Sequence, residues 1–319
     1  MKDIDKKDLR LLYALEKNAR TPVTQLAKEI AVSPQVADYK IRRLEKKGII
    51  LGYHAIIDTA RLGYITYRVY LKLRHADYEE QDKLFRELST ISQVSLATVL
   101  TGMWSGGIVI MAKDSQEFHK AWSRVMEYKE QIAAHQLSIY SPIIHYTRTL
   151  IIPDNKEQPG IRVLGEGDLV EHDELDVAIL RKLAPNVRIP LKHIAKELDR
   201  PLQTVINRIK AMEQNGIIQG YRPELNWEKL GYDYFKANIS LTSYRRIKEM
   251  EEYALQEPHI FQLDKTGAGY DFEIEIYAKD MAHFKELMNA FYHRFSDCIE
   301  SWDEFRISHL IKEEFMPAE

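Results

Sequence analysis

Cys298 is the only cysteine in the 319 residues, so no disulfide can form within the chain. A thiol-poor sequence fits a reducing cytoplasm, and that location is the expectation here. No apolar run approaches the ~18 residues of a membrane span. The opening Met1-Lys-Asp-Ile-Asp lacks an apolar signal core, and no membrane partner is expected. An excess of basic charge is also missing. The balance of 45 Lys and Arg against 48 Asp and Glu gives −3, which excludes a globally basic nucleic-acid binder but not a local basic patch. The eleven histidines show no HxH, HxxxH or CxxC pairing, so no metal is assigned. No phosphate-binding or dinucleotide fingerprint occurs, and no Ser, His and Asp stand at the spacing of a nucleophilic site. No catalytic residue and no cofactor are therefore assigned.

What the chain does have is a repeat. Residues 4–64 and 172–232 are one segment written twice, with a constant offset and no gap. Asp5, Asp8, Leu12, Leu15, Asn18, Arg20, Pro22, Ala27, Lys28, Glu29 and Gln35 recur as Asp173, Asp176, Leu180, Leu183, Asn186, Arg188, Pro190, Ala195, Lys196, Glu197 and Gln203. Gly48-Ile49-Ile50 with Gly52-Tyr53 recurs as Gly216-Ile217-Ile218 with Gly220-Tyr221. A period of half the chain means two copies of a whole module, not a solenoid.

Each copy opens with three helical patterns. Ile4, Leu11, Leu12 and Leu15 mark the first, and Val23, Leu26, Ala27 and Ile30 the second, with Pro22 as its first residue. Ser33-Pro34 reads as the cap and first residue of a third, whose buried stripe is Val36, Ala37, Ile41 and Leu44 and which Gly48 stops. Residues 49–58 read as strand, turn and strand, a small wing. Two short helices, a longer third and a wing describe a winged helix-turn-helix. A helix ~10–12 Å across fits the major groove of DNA, with its outward residues near base edges.

In copy one the outward candidates are Ser33, Gln35, Asp38, Tyr39, Lys40, Arg42 and Arg43, with Lys46 and Lys47 further along. Gln35 suits adenine, and the arginines suit guanine or phosphate. Asp38 stands near a polyanion either to orient an arginine or to read a cytosine amino group. Copy two offers Gln203, Thr204, Asn207, Arg208 and Lys210. Residues 33–47 carry five basic and two acidic side chains, whereas residues 201–215 carry two and one. Phosphate attraction supplies much of the binding free energy, so copy one is expected to be the stronger DNA module.

After Gly63 the apolar period changes to two. Ile65, Tyr67, Val69, Leu71 and Leu73 share one face, and Thr66, Arg68, Tyr70, Lys72 and Arg74 the other. A helix over 77–89, strands near 93–100 and 107–112, a helix over 114–130 and a strand near 134–149 complete a β-α-β-β-α-β, ferredoxin-like order. Copy two repeats it over 232–312. The expected class is α+β: two tandem copies of a winged helix-turn-helix followed by a ferredoxin-like sandwich. The expected boundaries are 1–60, 61–150, a linker at 151–167 rich in proline and glycine, 168–228 and 229–319.

The run Asp5, Leu9, Leu11-Leu12, Asn18-Ala19-Arg20, Leu26-Ala27, Ser33, Val36, Ile41-Arg42-Arg43-Leu44-Glu45, Gly48-Ile49-Ile50, Gly52-Tyr53, Asp58 and Leu62-Gly63-Tyr64 resembles the Lrp/AsnC, or feast/famine, transcriptional regulators of bacteria and archaea. The resemblance covers nearly the whole chain, twice. It implies a regulator bound to double-stranded DNA, self-association into a homo-oligomer through the sandwiches, and an amino acid or other small metabolite as effector. The family unit is one copy of about half this length, so the tandem form departs from it. The family's sandwich motif runs Thr-Gly-x-(aromatic)-Asp. Copy one has Thr101-Gly102-Met103-Trp104-Ser105, without the acid, and copy two Thr266-Gly267-Ala268-Gly269-Tyr270-Asp271, with the acid and one extra residue. Thr266, Gly267, Gly269, Tyr270 and Asp271 are thus the favoured effector residues, with Thr101 and Gly102 behind them. Two other readings stand beside this one. Sirohaem decarboxylases resemble the chain in fold but carry a His-x-Tyr-Asn-Leu-Trp-like tract absent here. A ligand sensor that does not bind DNA is the other.

Overall fold

Two aspartates start each repeat. Asp5 caps α1 (Lys6–Lys17) by accepting from the Asp8 amide, while the Asp8 carboxylate accepts from the Asp5 amide. Asp173 and Asp176 do the same for α6 (Glu174–Leu183). These are capping boxes, which satisfy two of the amides a helix start leaves unbonded. The computed structural model describes residues 4–152 and 157–317. Copy one continues with α2 (Val23–Glu29), α3 (Pro34–Lys46) and β1 (Ile50–Ile57), and copy two with α7 (Leu191–Glu197), α8 (Leu202–Gln214) and β7 (Ile218–Leu225). Gly48 ends α3 at φ +61 and Gly216 ends α8 at φ +74, left-handed values that favour glycine.

The chain divides into two units. One holds residues 4–58, 146–152, 157–162 and 170–232, and thus both helix-turn-helix modules. The other holds residues 59–145, 163–169 and 233–317, with both sandwiches.

In the first unit the expected wing hairpin is not formed. Residues 50–57 make one uninterrupted strand, and β1 pairs antiparallel with β7. Gly52 stays extended instead of turning, because the second strand comes from the other copy. His54 pairs with Arg222, its own counterpart in the repeat, so a pseudo-twofold axis passes through this pair. Burial, with Arg222, Arg148 and Arg162 nearby, holds the His54 imidazole well below its usual range, so it is neutral at this crowded axis.

The second unit follows the expected element order. Copy one supplies β2 (Ile65–Leu73), α4 (Tyr78–Ser89), β3 (Val94–Gly102), β4 (Gly106–Ala112), α5 (Ser115–Met126) and β5 (Ile132–Tyr146). In the linker region Ile161–Leu164 form β6, which adds to β5. The linker expected over 151–167 thus contains a short strand, since this aliphatic run finds an open edge on β5. Residues 153–156 lie outside the described residues. Copy two supplies β8 (Asp233–Leu241), α9 (Ile247–Gln256), β9 (Ile260–Gly267), β10 (Phe272–Ala278), α10 (Met281–Phe295) and β11 (Ile299–Glu313).

The two long final strands join the sandwiches. β5 pairs with β2 along its first part and with β9 along its second. β11 does likewise with β8 and then β3. Eight strands close into a ring in the order β2-β4-β3-β11-β8-β10-β9-β5, with β5 returning to β2. The pairing of the two copies therefore occurs within one chain, and ring closure leaves few open edges, of which β6 takes one on β5. On the outer face of copy one, Val69, Leu71, Ile108 and Ile110 pack under Leu84, Phe85, Leu88, Ala121 and Val125 of α4 and α5.

Candidate nucleic-acid interface

Ser33 caps α3 by accepting from the Val36 amide at 3.3 Å, and Pro34 supplies the first helical residue. Ala37, Lys40, Ile41 and Leu44 face the core, while Val36, expected in the buried stripe, is 42% exposed at the first turn. The inward place belongs to Lys40, which is 8% exposed and donates to Asp5 at 2.8 Å and Asp8 at 2.9 Å. Burial acts to lower its pKa, but those two bonds prevail and raise it. The Asp5 carboxyl is in turn lowered, chiefly by its bond from Lys40. Arg43 also donates to Asp8. Lys40 and Arg43 thus fasten α3 to the start of α1, and their charge is largely spent there.

The outer face of α3 is a different surface. Gln35 is exposed, Tyr39 is 63% exposed, and the Arg42 side chain is 76% exposed with its Nε 2.9 Å from Asp38. Of the two roles open to Asp38, the geometry is that of a carboxylate orienting an arginine. Lys46 is exposed and Lys47 half-buried at the far end.

In copy two, α8 presents Gln203, Asn207 and Lys210 as exposed residues, with Thr204 half-buried. Gln203 donates to Asn207 at 2.8 Å, one helical turn away. Arg208 stands where Lys40 stands in copy one, and it pairs with Asp173 at 2.8 Å and Asp176 at 3.0 Å. It too holds the third helix on the first.

Further contacts recur in both copies. Tyr53 donates to Glu45 at 2.7 Å and Tyr221 to Glu213 at 2.6 Å, tying each third helix to its strand. Burial first, and then the carboxylate, raises both phenol pKa values. Sequence reading did not assign Arg20, Arg188 or Glu16 a role. Arg20 lies over the ring of Tyr221, and Arg188 over that of Tyr53, each reaching into the other repeat. The signal was present, since all four residues recur across the repeat. Glu16 has no such signal because its counterpart is Ala184. It is fully buried and accepts from Arg222 at 3.1 Å.

The sandwich motifs are arranged as follows. Asp271 accepts from the Leu241 amide at 2.8 Å and from the Tyr244 hydroxyl. Thr266 donates to the Tyr270 carbonyl, and Ala268 and Gly269 turn at φ +68 and +84. Gly267 is exposed. Tyr270 is buried with Tyr70, Leu100, Trp104 and Phe305 and donates to Asp303. Thr101, by contrast, lines a cleft of about 440 Å³ with Gly102, Asp77, Gln81 and Trp104. Among the described residues, no helix is long and apolar enough to cross a membrane.

A family model described as winged helix-turn-helix DNA-binding matches residues 4–50 and 172–219. An uncharacterized HTH-type transcriptional regulator of Pyrococcus furiosus is 33% identical over 150 residues, which are 46% of this chain and 97% of that protein. The regulatory protein AsnC of Haemophilus influenzae is 30% identical over 148 residues, 45% of this chain and 97% of AsnC. The siroheme decarboxylase NirDL has a crystal structure that covers 98% of this chain and 94% of its own, with a TM-score of 0.67 and 12% identity. That likeness shows the shared tandem fold alone. The matched DNA-binding modules and the regulators to which each half of the chain is similar, not the fold by itself, mark a DNA-binding regulator. The chain belongs to the Lrp/AsnC family of transcriptional regulators, in a tandem form.

Proposed function

We propose that the chain regulates transcription in the cytoplasm by docking the outer face of α3 in the major groove of duplex DNA. Gln35, Tyr39 and Arg42 are the base readers, Asp38 orients Arg42, and Lys46 and Lys47 meet phosphate. On α8, Gln203, Thr204, Asn207 and Lys210 act in the same way with less electrostatic hold. The observation that carries this reading is the division of the α3 cations. Lys40 and Arg43 are bound to Asp8, while Arg42 stands in solvent beside Asp38, and an exposed guanidinium is the group that pairs with a base edge. Ser33 serves as the cap that starts the helix. The sandwiches pair the two copies, and their outer surfaces remain for association between chains. An amino acid or similar small metabolite is assigned to the cleft lined by Thr101, Gly102, Asp77 and Gln81 rather than to the copy-two motif favoured from sequence, because Asp271 there is already bonded to the Leu241 amide and the Tyr244 hydroxyl.

A mobility shift with duplexes from the organism's own promoters, at low ionic strength, tests the reading. Retention of a salt-sensitive complex supports it. Failure to retain any duplex, together with a porphyrin-like absorption band in the purified protein, would favour the enzyme alternative.

A further inference from the structure

We propose that one chain reads an operator that is not palindromic, each repeat binding a half-site of different sequence. The inference rests on the DNA-binding reading above and deepens it. A dimer of identical subunits presents identical readers across its twofold axis, so its operator mirrors that symmetry. Here the axis relates the scaffold and not the reading side chains. His54 faces Arg222 at its centre, and Arg20 on Tyr221 mirrors Arg188 on Tyr53. The scaffold is therefore symmetric, and both third helices are carried in one unit of a single chain.

The readers break that symmetry. Copy one presents an arginine aligned by a carboxylate, Arg42 on Asp38 at 2.9 Å. At the corresponding places copy two has Lys210 and Ile206, and an isoleucine aligns nothing. Copy two presents instead an amide pair, Gln203 donating to Asn207 at 2.8 Å. The residue of copy one that corresponds to Asn207 is Tyr39, which has one hydroxyl and a large apolar ring. A fixed guanidinium pairs best with the O6 and N7 of guanine, and a carboxamide with the N6 and N7 of adenine. The copy-one half-site should carry a guanine under Arg42, and the copy-two half-site an adenine under Asn207. Each contact of this kind discriminates by about ten- to a hundredfold against the wrong base.

Selection of duplexes from a random pool by the full chain, followed by titration of the enriched sequence, is the test. A consensus with two unlike halves is expected. Arg42→Ala should lose base preference at one position in one half only, and Asn207→Ala at one position in the other half only, by about tenfold or more. Both side chains are on the surface, and an unchanged far-ultraviolet circular dichroism spectrum shows that the variants fold. A palindromic consensus overturns the inference, as does relaxation of the same half by both variants or of neither half by either. If no duplex is enriched at all, the DNA-binding reading itself falls, a result distinct from a palindrome.

Discussion

The Arg188 guanidinium lies 4.6 Å from the centre of the Tyr53 ring, although the two residues belong to different repeats. Arg20 and Tyr221 repeat the contact at 5.1 Å in the opposite sense. Arg188 also donates to the Ala19 carbonyl at 3.0 Å. The two modules are thus clasped on both sides of the central His54–Arg222 pair of the β1–β7 ladder. A cation over a partly desolvated ring is worth about 0.5–2 kcal/mol. The double variant Arg20→Ala, Arg188→Ala should lower the unfolding free energy in a denaturant titration by at least the sum of two such contacts. A loss confined to experimental error would show that the ladder alone holds the modules together.

Lys40 and Arg42 are two residues apart on α3 and should behave differently. Lys40→Met leaves Asp8, which is fully buried, without one of its two cations. Its main effect should be on stability, by about 1–3 kcal/mol for a charged bond broken in a buried place. Arg42→Met should leave the melting curve unchanged and weaken DNA binding. Thermal denaturation of both variants beside the parent decides this, and equal destabilisation would refute the division of labour on α3.

Glu16 is fully buried between Arg222 at 3.1 Å and Arg148 at 3.4 Å. Removing the carboxylate leaves two buried cations without their counter-charge, a change that costs about 3–5 kcal/mol. Glu16→Ala should show that loss in a chemical-denaturation midpoint, even though Ala184 occupies the same place in copy two without difficulty. The difference is that Arg222, which pairs with Glu16, has as its counterpart in the repeat His54, which is kept neutral.

Inside the strand ring, Lys236 lies 3.1 Å from Asp264, 2.8 Å from Glu273 and 2.8 Å from Glu275. Burial pushes the Asp264 carboxyl up to about 6, against the pull of Lys236. The folded chain therefore binds this proton more tightly than the unfolded one. The stability it contributes is complete below about pH 4 and is lost as pH rises through about 6. Glu275 is shifted the other way, lowered despite burial by Lys236 and Arg68, so the parent's pH profile is a sum. Unfolding free energies at steps across that window, for the parent and Asp264→Asn, isolate the Asp264 part. The variant should lack the decline on going from pH 4 to pH 6, and identical slopes would contradict the assignment.

Much of this architecture was legible in the sequence because each element carries its own local cause. The period-two pattern from Ile65 to Leu73 gives a strand with those ends, and Ser33-Pro34 and Gly48 bound α3. The closure of the ring was not legible, since pairing between β3 and β11 or between β5 and β9 depends on partners far apart in the chain. The wing was misjudged for the same reason: Gly52-Tyr53 suggests a turn only if no outside strand is available. On α3 the outward placement of Gln35, Tyr39 and Arg42 follows from helical periodicity. The inward placement of Lys40 does not, because a long side chain at the edge of the stripe turns whichever way a carboxylate draws it. Asp8, one helix away in sequence and adjacent in space, draws it inward.

The central claim is that the outer side of α3 meets DNA phosphate and bases. The most direct measurement is the dependence of duplex affinity on salt concentration for the parent and for Arg42→Ala, Lys46→Ala. Each phosphate contact contributes about 0.9 to the slope of log affinity against log salt. With Arg42 on a base and Lys46 on a phosphate, the account predicts weaker binding and a slope shallower by about one unit. An affinity and slope indistinguishable from the parent's would contradict it.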